Sequence, residues 1–307
     1  MLRIGLVDLD TSHPGSWTPI LRELGHEVIG VYDSGAVYPA GYAREFADRH
    51  GIGRVYDSLE QMAHDVDTAI VHSCNWDVHV DRARPFLSAG KSVLLDKPLA
   101  GHMKDVLQLL RWAGEGYRIT GGSSLRYAEE VARFRELSAD EIGEPLFLYG
   151  GCAVDDFNYG IHAYSLAHGL LGPGIDSVRH LGSHGQHLTE LVWEDGKRAV
   201  LAIGGTAGYQ PFYATLTCSK TIHHIQVDSS RIYKSFLTRV LPYLAGEVEA
   251  PPVPLEQLLE VEMAALAVKQ SRANGGTRVL LRELTEHTPG YDGQAFAHEY
   301  RLQKMNR

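Results

Sequence analysis

Residues 3–17 read RIGLVDLDTSHPGSW. Ile4 to Val7 form a short apolar run, and Asp8 to Ser12 form a polar turn. WTPILREL (17–24) follows, with Ile20, Leu21 and Leu24 at the spacing of one helical face. A strand that turns directly into an amphipathic helix is the first half of a βαβ unit. The fold class depends on whether that unit is repeated.

It is repeated through residue 122. HEVIGVYD (26–33), VDTAIVHS (66–73), KSVLLDKP (91–98) and YRITGGSS (117–124) read as further strands. The intervening helical stretches are YAREFADRHG (42–51), SLEQMAHD (58–65), HVDRARPFLSAG (79–90) and HMKDVLQLLRWAGEG (102–116). Gly51 is a helix stop, and Ser58 with Gln61 is a helix start. Strands alternating with helices predict right-handed crossovers and a doubly wound parallel sheet over residues 1–122. Beyond residue 123 the runs are longer, alternate in polarity and join through turns, with EDGK (194–197) as a hairpin signal. Two helices interrupt or follow them, IHAYSLAHGLLG (161–172) and PLEQLLEVEMAALAVKQSRANGG (254–276). Residues 123–307 therefore read as an α+β domain with an open, mostly antiparallel sheet. Its uncovered face is expected to be solvated or paired in a homo-oligomer, a dimer or tetramer.

The 307 residues are 44% hydrophobic and 22% charged, with a net charge of −9. That balance argues against nucleic acid or an anionic membrane as the main partner. A small molecule is expected instead. Three scattered cysteines, Cys74, Cys152 and Cys218, make no disulfide framework and fit a reducing, cytoplasmic setting. No stretch has the roughly 18 apolar residues that read as a membrane span.

In a parallel sheet the loops after the strands form the ligand crevice. A Rossmann phosphate turn carries glycine at three positions, and here they are Asp8, Asp10 and His13. Carboxylates there oppose a pyrophosphate. Thr11 and Ser12, with the amides opening the helix, still offer anion donors. Asp33 ends the second strand about 20 residues on, where an acid takes the ribose hydroxyls of NAD and disfavours NADP. Asp10 or Ser12 could instead simply cap the helix, and Asp33 could be a turn residue. Ser73, Asn75 and His79 follow the third strand, although His79 could be only a helix-start residue. Asp96, Lys97 and Pro98 follow the fourth. A lysine held at the crevice suits proton transfer to a substrate hydroxyl, or its orientation. The clustered histidines 180, 184 and 187, and 223 with 224, read as solvated or substrate-lining, and no metal is expected. A second metal reading, Asp8 with Asp10 and His13, would explain the acids of the turn.

NWDVH (75–79), AGKSVLLDKPLA (89–100), LRY (125–127) and NYGIHAYSL (158–166) together resemble the glucose–fructose oxidoreductase/inositol dehydrogenase (Gfo/Idh/MocA) family. The resemblance covers nearly the whole chain. It implies hydride transfer with NAD(P) at a hydroxyl or carbonyl carbon of a sugar, cyclitol or related molecule. On it, His162 is the general acid/base, Lys97 assists and orients, and Asp96 stands where the family usually has Glu. Arg126, Asn158 and Tyr159 are expected beside the substrate. Asn158 stands where the family often has Asp, and Ser165 where it often has an acid. The altered turn motivates an alternative: a member without a cofactor, performing lyase, hydrolase or epimerase-type proton chemistry, or binding a small molecule.

Overall fold

The computed structural model describes residues 1–305. The first half runs β1 (Arg3–Val7), α1 (His13–Glu23), β2 (Glu27–Tyr32), α2 (Tyr42–His50), β3 (Arg54–Val55), α3 (Leu59–Asp65), β4 (Thr68–Val71), α4 (His79–Ser88), β5 (Ser92–Leu95), α5 (Met103–Gly114) and β6 (Ile119–Gly121). Its strands form one parallel sheet in the order 3-2-1-4-5-6. The short edge strand β3 is an addition to the five strands legible in the sequence. β4 and β5 are buried along their whole length, as apolar strands covered on both faces should be. The local signals act as read: Gly51 ends α2 at φ 61°, and the Ser58 hydroxyl accepts from the Gln61 amide at 3.2 Å to cap α3. The strand order reverses between β1 and β4, which opens a crevice at their carboxyl ends.

The second half runs α6 (Glu129–Glu136), α7 (Ala139–Ile142), β7 (Pro145–Cys152), α8 (Gly160–Leu171), β8 (Ile175–His184), β9 (Gln186–Trp193), β10 (Arg198–Ile203), β11 (Tyr213–Cys218), β12 (Ile222–Gln226), α9 (Ile232–Leu244), α10 (Leu255–Ala273), β13 (Val279–Leu280) and α11 (Gly293–Met305). Seven strands form a sheet in the order 12-11-7-10-9-8-13, antiparallel except for the β7–β10 pair. The expectation of two helices here is corrected: α6, α7, α9 and α11 are additional. Pro242 lies near the end of α9 and reads as a breaker, yet Phe236, Leu237, Val240 and Leu241 bury a continuous helical stripe. In α11 only Gly293 and Ala297 are buried, so its apolar periodicity is faint.

The outer face of this sheet carries Phe147, Tyr149 and Leu188, which are exposed, among polar neighbours. Helix α10 is shared between the two halves. Leu255, Leu258, Leu259 and Leu266 belong to the core around the parallel sheet, while Val261, Ala264, Ala265 and Ala267 belong to the core under the second sheet. Between them the buried Glu262 accepts from the Leu99 amide at 2.9 Å, and burial pushes its carboxyl up to about 7.

Candidate active site

A cavity of about 280 Å³ opens where the crevice meets the second half. One wall is the β1–α1 turn, with Thr11, Ser12 and His13. Lys97 enters from the end of β5, and Asn158, Tyr159 and His162 from the start of α8. The residues expected to act on substrate thus converge, apart from Arg126.

Lys97 lies beyond the buried strand β5, and the Lys97–Pro98 peptide is cis. Its ammonium donates to Asn158 Oδ1 at 2.7 Å and to the Asn158 carbonyl at 3.0 Å. Burial lowers its pKa, opposed by the carboxylates of Asp96 and Asp155. His162 Nδ1 lies 2.7 Å from Ser123 Oγ, and among the described residues Nε2 has no partner. Burial, and then the Lys97 charge, hold His162 well below the ordinary imidazole value. It is a neutral base beside a cation.

The altered turn has its own logic. Asp8 adopts φ 59°, the left-handed conformation for which glycine is the usual residue. Its carboxylate is drawn sideways, away from the turn. Oδ1 accepts from the Ser34 amide at 2.9 Å, and Oδ2 accepts from Ser73 Oγ and from Arg82 Nε at 3.1 Å. Asp10 Oδ2 accepts from the Cys74 amide at 2.9 Å, while buried Oδ1 has no partner among the described residues. Burial, with Asp8 and then Asp33 nearby, pushes the Asp10 carboxyl up to about 7.

A pH signature follows. The unfolded chain releases the Asp10 proton near pH 4 and the folded chain near pH 7. Its contribution to stability is therefore lost as pH rises through that window. Across neutral pH its ionisation also adds negative charge beneath the turn. Anion binding there should weaken from pH 6 to pH 8, and Asp10→Asn should flatten that slope; pyrophosphate titration followed calorimetrically measures both.

His13 opens α1 and donates its geometry to a buried trio. Its Nδ1 lies 2.5 Å from Asp96 Oδ2, which His72 Nδ1 also approaches at 3.0 Å. Burial alone would raise Asp96; the two imidazoles hold it well below the usual carboxylate range. The three ligand atoms lie within 4.8 Å of one another, a spacing a metal could use; each ring turns its Nδ1 to Asp96 Oδ2, and His72 Nε2 is buried without a partner among the described residues. Trp17 stacks on His13 at 5.3 Å and Tyr233 meets its edge at 5.0 Å.

Other expected residues lie outside the cavity. Asp33 directly follows β2 and accepts from the Leu9 amide at 3.3 Å. Asn75 caps the turn Trp76–Val78 through the Asp77 amide. His79 is buried with its ring between the Ser73 and Leu99 carbonyls, a scaffold position rather than a contact surface. Arg126 is corrected most clearly. It lines a separate cavity with Arg135, Arg239 and Glu136 and donates to His168, whose Nε2 lies 3.4 Å from Glu260. Burial lowers its pKa to about 10, and the Glu260 charge only partly opposes that. The histidines of the β8–β9 hairpin are likewise remote, with His187 3.3 Å from Asp156.

The sequence reading missed Tyr209, Phe212, Ser229, Ile232 and Tyr233 on the cavity wall, and Phe296 and Tyr300 of α11. The last two had a signal, aromatic residues four apart in one helix. Their destination had none. Helix α11 lies between the loops that follow β2 and β4. Ala297 packs on Val37 and Cys74, with Tyr38, Phe296 and Tyr300 around them. Arg301 Nη1 donates to the Gly35 carbonyl at 3.4 Å.

Comparison with known proteins agrees with this fold. Residues 5–119 match the family model described as an oxidoreductase family with an NAD-binding Rossmann fold. A 1,5-anhydro-D-fructose reductase of Ensifer adhaerens is 30% identical over 149 residues, 48% of this chain and 44% of that protein. A trans-1,2-dihydrobenzene-1,2-diol dehydrogenase of Danio rerio is 36% identical over 86 residues, 28% of this chain and 25% of that protein. The matches thus span less than half the length of these curated relatives. The myo-inositol dehydrogenase of Lactobacillus casei, solved with NAD(H) and myo-inositol, has the same fold: the TM-score is 0.76 at 17% identity, covering 91% of this chain and 96% of that one. The scyllo-inositol dehydrogenase of Lactobacillus casei, solved with NAD(H) and scyllo-inositol, gives 0.76 at 15% identity, covering 92% and 100%. Among the described residues no helix is long and apolar enough to cross a membrane. Residues 5–119 are thus similar to the NAD-binding domain of the Gfo/Idh/MocA oxidoreductases, and the fold along most of the chain is that of the two inositol dehydrogenases.

Proposed function

We propose that the protein is an NAD-dependent oxidoreductase acting at a hydroxyl or carbonyl carbon of a sugar, cyclitol or related polyol. The observation that carries this reading is the meeting of Lys97 and His162 in one cavity with the opening of α1.

The residues of the turn fit a dinucleotide's phosphates better than their identities suggest. Asp8 is neutralised by Arg82 and directed away, and the start of α1 faces the cavity. Asp33 suits ribose hydroxyls and disfavours a 2′-phosphate, so NAD is preferred over NADP. When bound, NAD supplies the hydride acceptor or donor. The chain's own residues manage the proton. With Nδ1–H donated to Ser123, His162 Nε2 holds a lone pair and takes the proton from a substrate hydroxyl. The Lys97 ammonium donates to the same oxygen and stabilises charge developing on it. Asn158 fixes the ammonium through two bonds, and Tyr209, Phe212 and Tyr233 limit water. Because the His162 pKa is depressed, the base stays active below pH 6.5, and the acid limb of kcat/KM should fall below an ordinary histidine's.

Incubation with NAD and a panel of cyclitols, aldoses and polyols, followed by absorbance of reduced nicotinamide, tests the assignment. Turnover of at least one class is expected, and none across the panel in either direction overturns it. A second reading, proton chemistry without a dinucleotide, is favoured by one observation: the cavity is of monosaccharide size and α11 closes one side of it. Deuterium exchange into a sugar at a carbon-bound position, without added cofactor, would mark that chemistry. We also assign pairing of two copies to the open sheet face around Phe147, Tyr149 and Leu188. Sedimentation should give a dimer or larger, and a monomer at micromolar concentration counts against it.

A further inference from the structure

The loops after β2 and β4 bound the part of a dinucleotide cleft that would take the adenosine, and the β4 loop also reaches the Lys97–His162 cavity through Cys74. In this molecule that part of the cleft is filled from within. Helix α11 crosses it, and its contacts are with the same segments that would meet an adenosine. Arg301 reaches the carbonyl of Gly35, two residues beyond Asp33. Ala297, 6% exposed, is seated between Val37 and Cys74. Tyr300 lies beside Tyr38 and Cys74 and lines the cavity with Thr11, Ser12 and His13.

The start of the helix is docked specifically. Asp77 Oδ2 accepts from the Gly293 amide at 3.0 Å and the Gln294 amide at 3.3 Å, so a residue of the β4–α4 loop caps α11 from outside the helix. Gly293 is required by that approach. A Cβ there would come within 3.0 Å of the Trp76 and Asp77 amide nitrogens. Trp76 closes the junction, with its indole donating to the Tyr291 carbonyl at 2.7 Å and its ring 5.0 Å from Phe296.

The remainder of the helix is held lightly. Beyond Gly293 only Ala297 is buried, Phe296 and Tyr300 are half-buried, and the other side chains described for residues 294–305 are intermediate or exposed. A helix with one small buried side chain and two partial aromatic contacts belongs to the low-stability end of a structure, the class from which lids are drawn. A firm anchor at one end and a thin contact along the rest are the parts of a hinged cover.

We propose that α11 is a displaceable lid on the adenosine half of the cleft, competing with NAD for the loops after β2 and β4. The lid rests on the NAD-dependent reading above. Closed, it leaves a cavity of monosaccharide size that the β1–α1 turn already lines; open, it adds the approach to Asp33. Binding then carries the cost of undocking, and apparent affinity falls by the fraction of molecules that are open.

The experiment uses the full chain. Hydrogen exchange of amides 293–305 is followed with and without NADH, and NADH affinity is measured by fluorescence for the natural chain and for Ala297→Arg. Arginine cannot occupy the Val37–Cys74 seat, so that variant holds the lid open. NADH should accelerate exchange in α11, and Ala297→Arg should tighten NADH binding by 10-fold or more. A milder variant, Tyr300→Ser, should tighten it less. The exchange measurement needs no variant, so misfolding of either does not remove the test. If NADH binds the natural chain with α11 exchange unchanged and Ala297→Arg binds no better, the lid is overturned while the NAD-dependent reading stands. If neither protein binds NADH at millimolar concentration, both are overturned.

Discussion

Lys97→Met should lower kcat/KM by about 10²- to 10³-fold, the range that one donor to a developing oxyanion supplies. Methionine keeps the unbranched stem and approximate volume but carries no proton and no charge. Lys97 is half-buried on the cavity wall, with its ammonium held by the two Asn158 oxygens, so no other side chain is placed to take over its role. The variant also separates roles. The Lys97 charge is the second cause, after burial, of the low His162 pKa. Removing it should move the acid limb of the pH profile upward, toward an ordinary histidine. A residue that merely supported the fold would leave that limb in place. Steady-state kinetics between pH 5 and 9, with thermal unfolding to show that the fold persists, measures both effects. An unchanged limb with an unchanged rate would remove Lys97 from the reaction.

The second large effect is on stability. Arg82→Leu should destabilise the protein by about 3 kcal/mol, because it leaves the Asp8 carboxylate buried without its cation. Asp8 is 1% exposed, and the Arg82 side chain 21%. The remaining donors, the Ser34 amide and the Ser73 hydroxyl, do not carry a compensating charge. Adding Asp8→Asn should recover part of the loss, so that the two changes are non-additive. Urea unfolding would show a lower midpoint at constant slope. Restoring glycine at position 8 should not by itself improve NADH binding. The carboxylate already points away from the turn, and Asp8 supplies the backbone conformation for which glycine would otherwise be needed.

How much of this was readable in the chain follows from the range of each interaction. The parallel sheet rests on local periodicity, and Ile4–Val7 or Val93–Leu95 read as buried strands without knowledge of their neighbours. Lys97 and His162 were legible through short motifs that the fold then brings together. Asp8 was misleading because a residue's identity does not state where its side chain goes. Its direction is set by Arg82, on another helix, and by Ser73, at the end of another strand. Arg126 was misplaced for the same reason, since its partner His168 lies on α8. Helix α11 was least legible. Its apolar signal is two aromatic residues and an alanine, and the loop that caps it is more than 200 residues earlier in the chain.

Helix α10 places one side of its length in each core. Two-lobed proteins often admit ligand by swinging the lobes apart, like a clamshell. Here that motion would strip apolar contacts from one side of a single helix. Traffic through the crevice therefore falls to a peripheral segment rather than to the whole molecule. Turnover would then follow the docking rate of thirteen residues and be insensitive to solvent viscosity on the scale of whole-lobe diffusion.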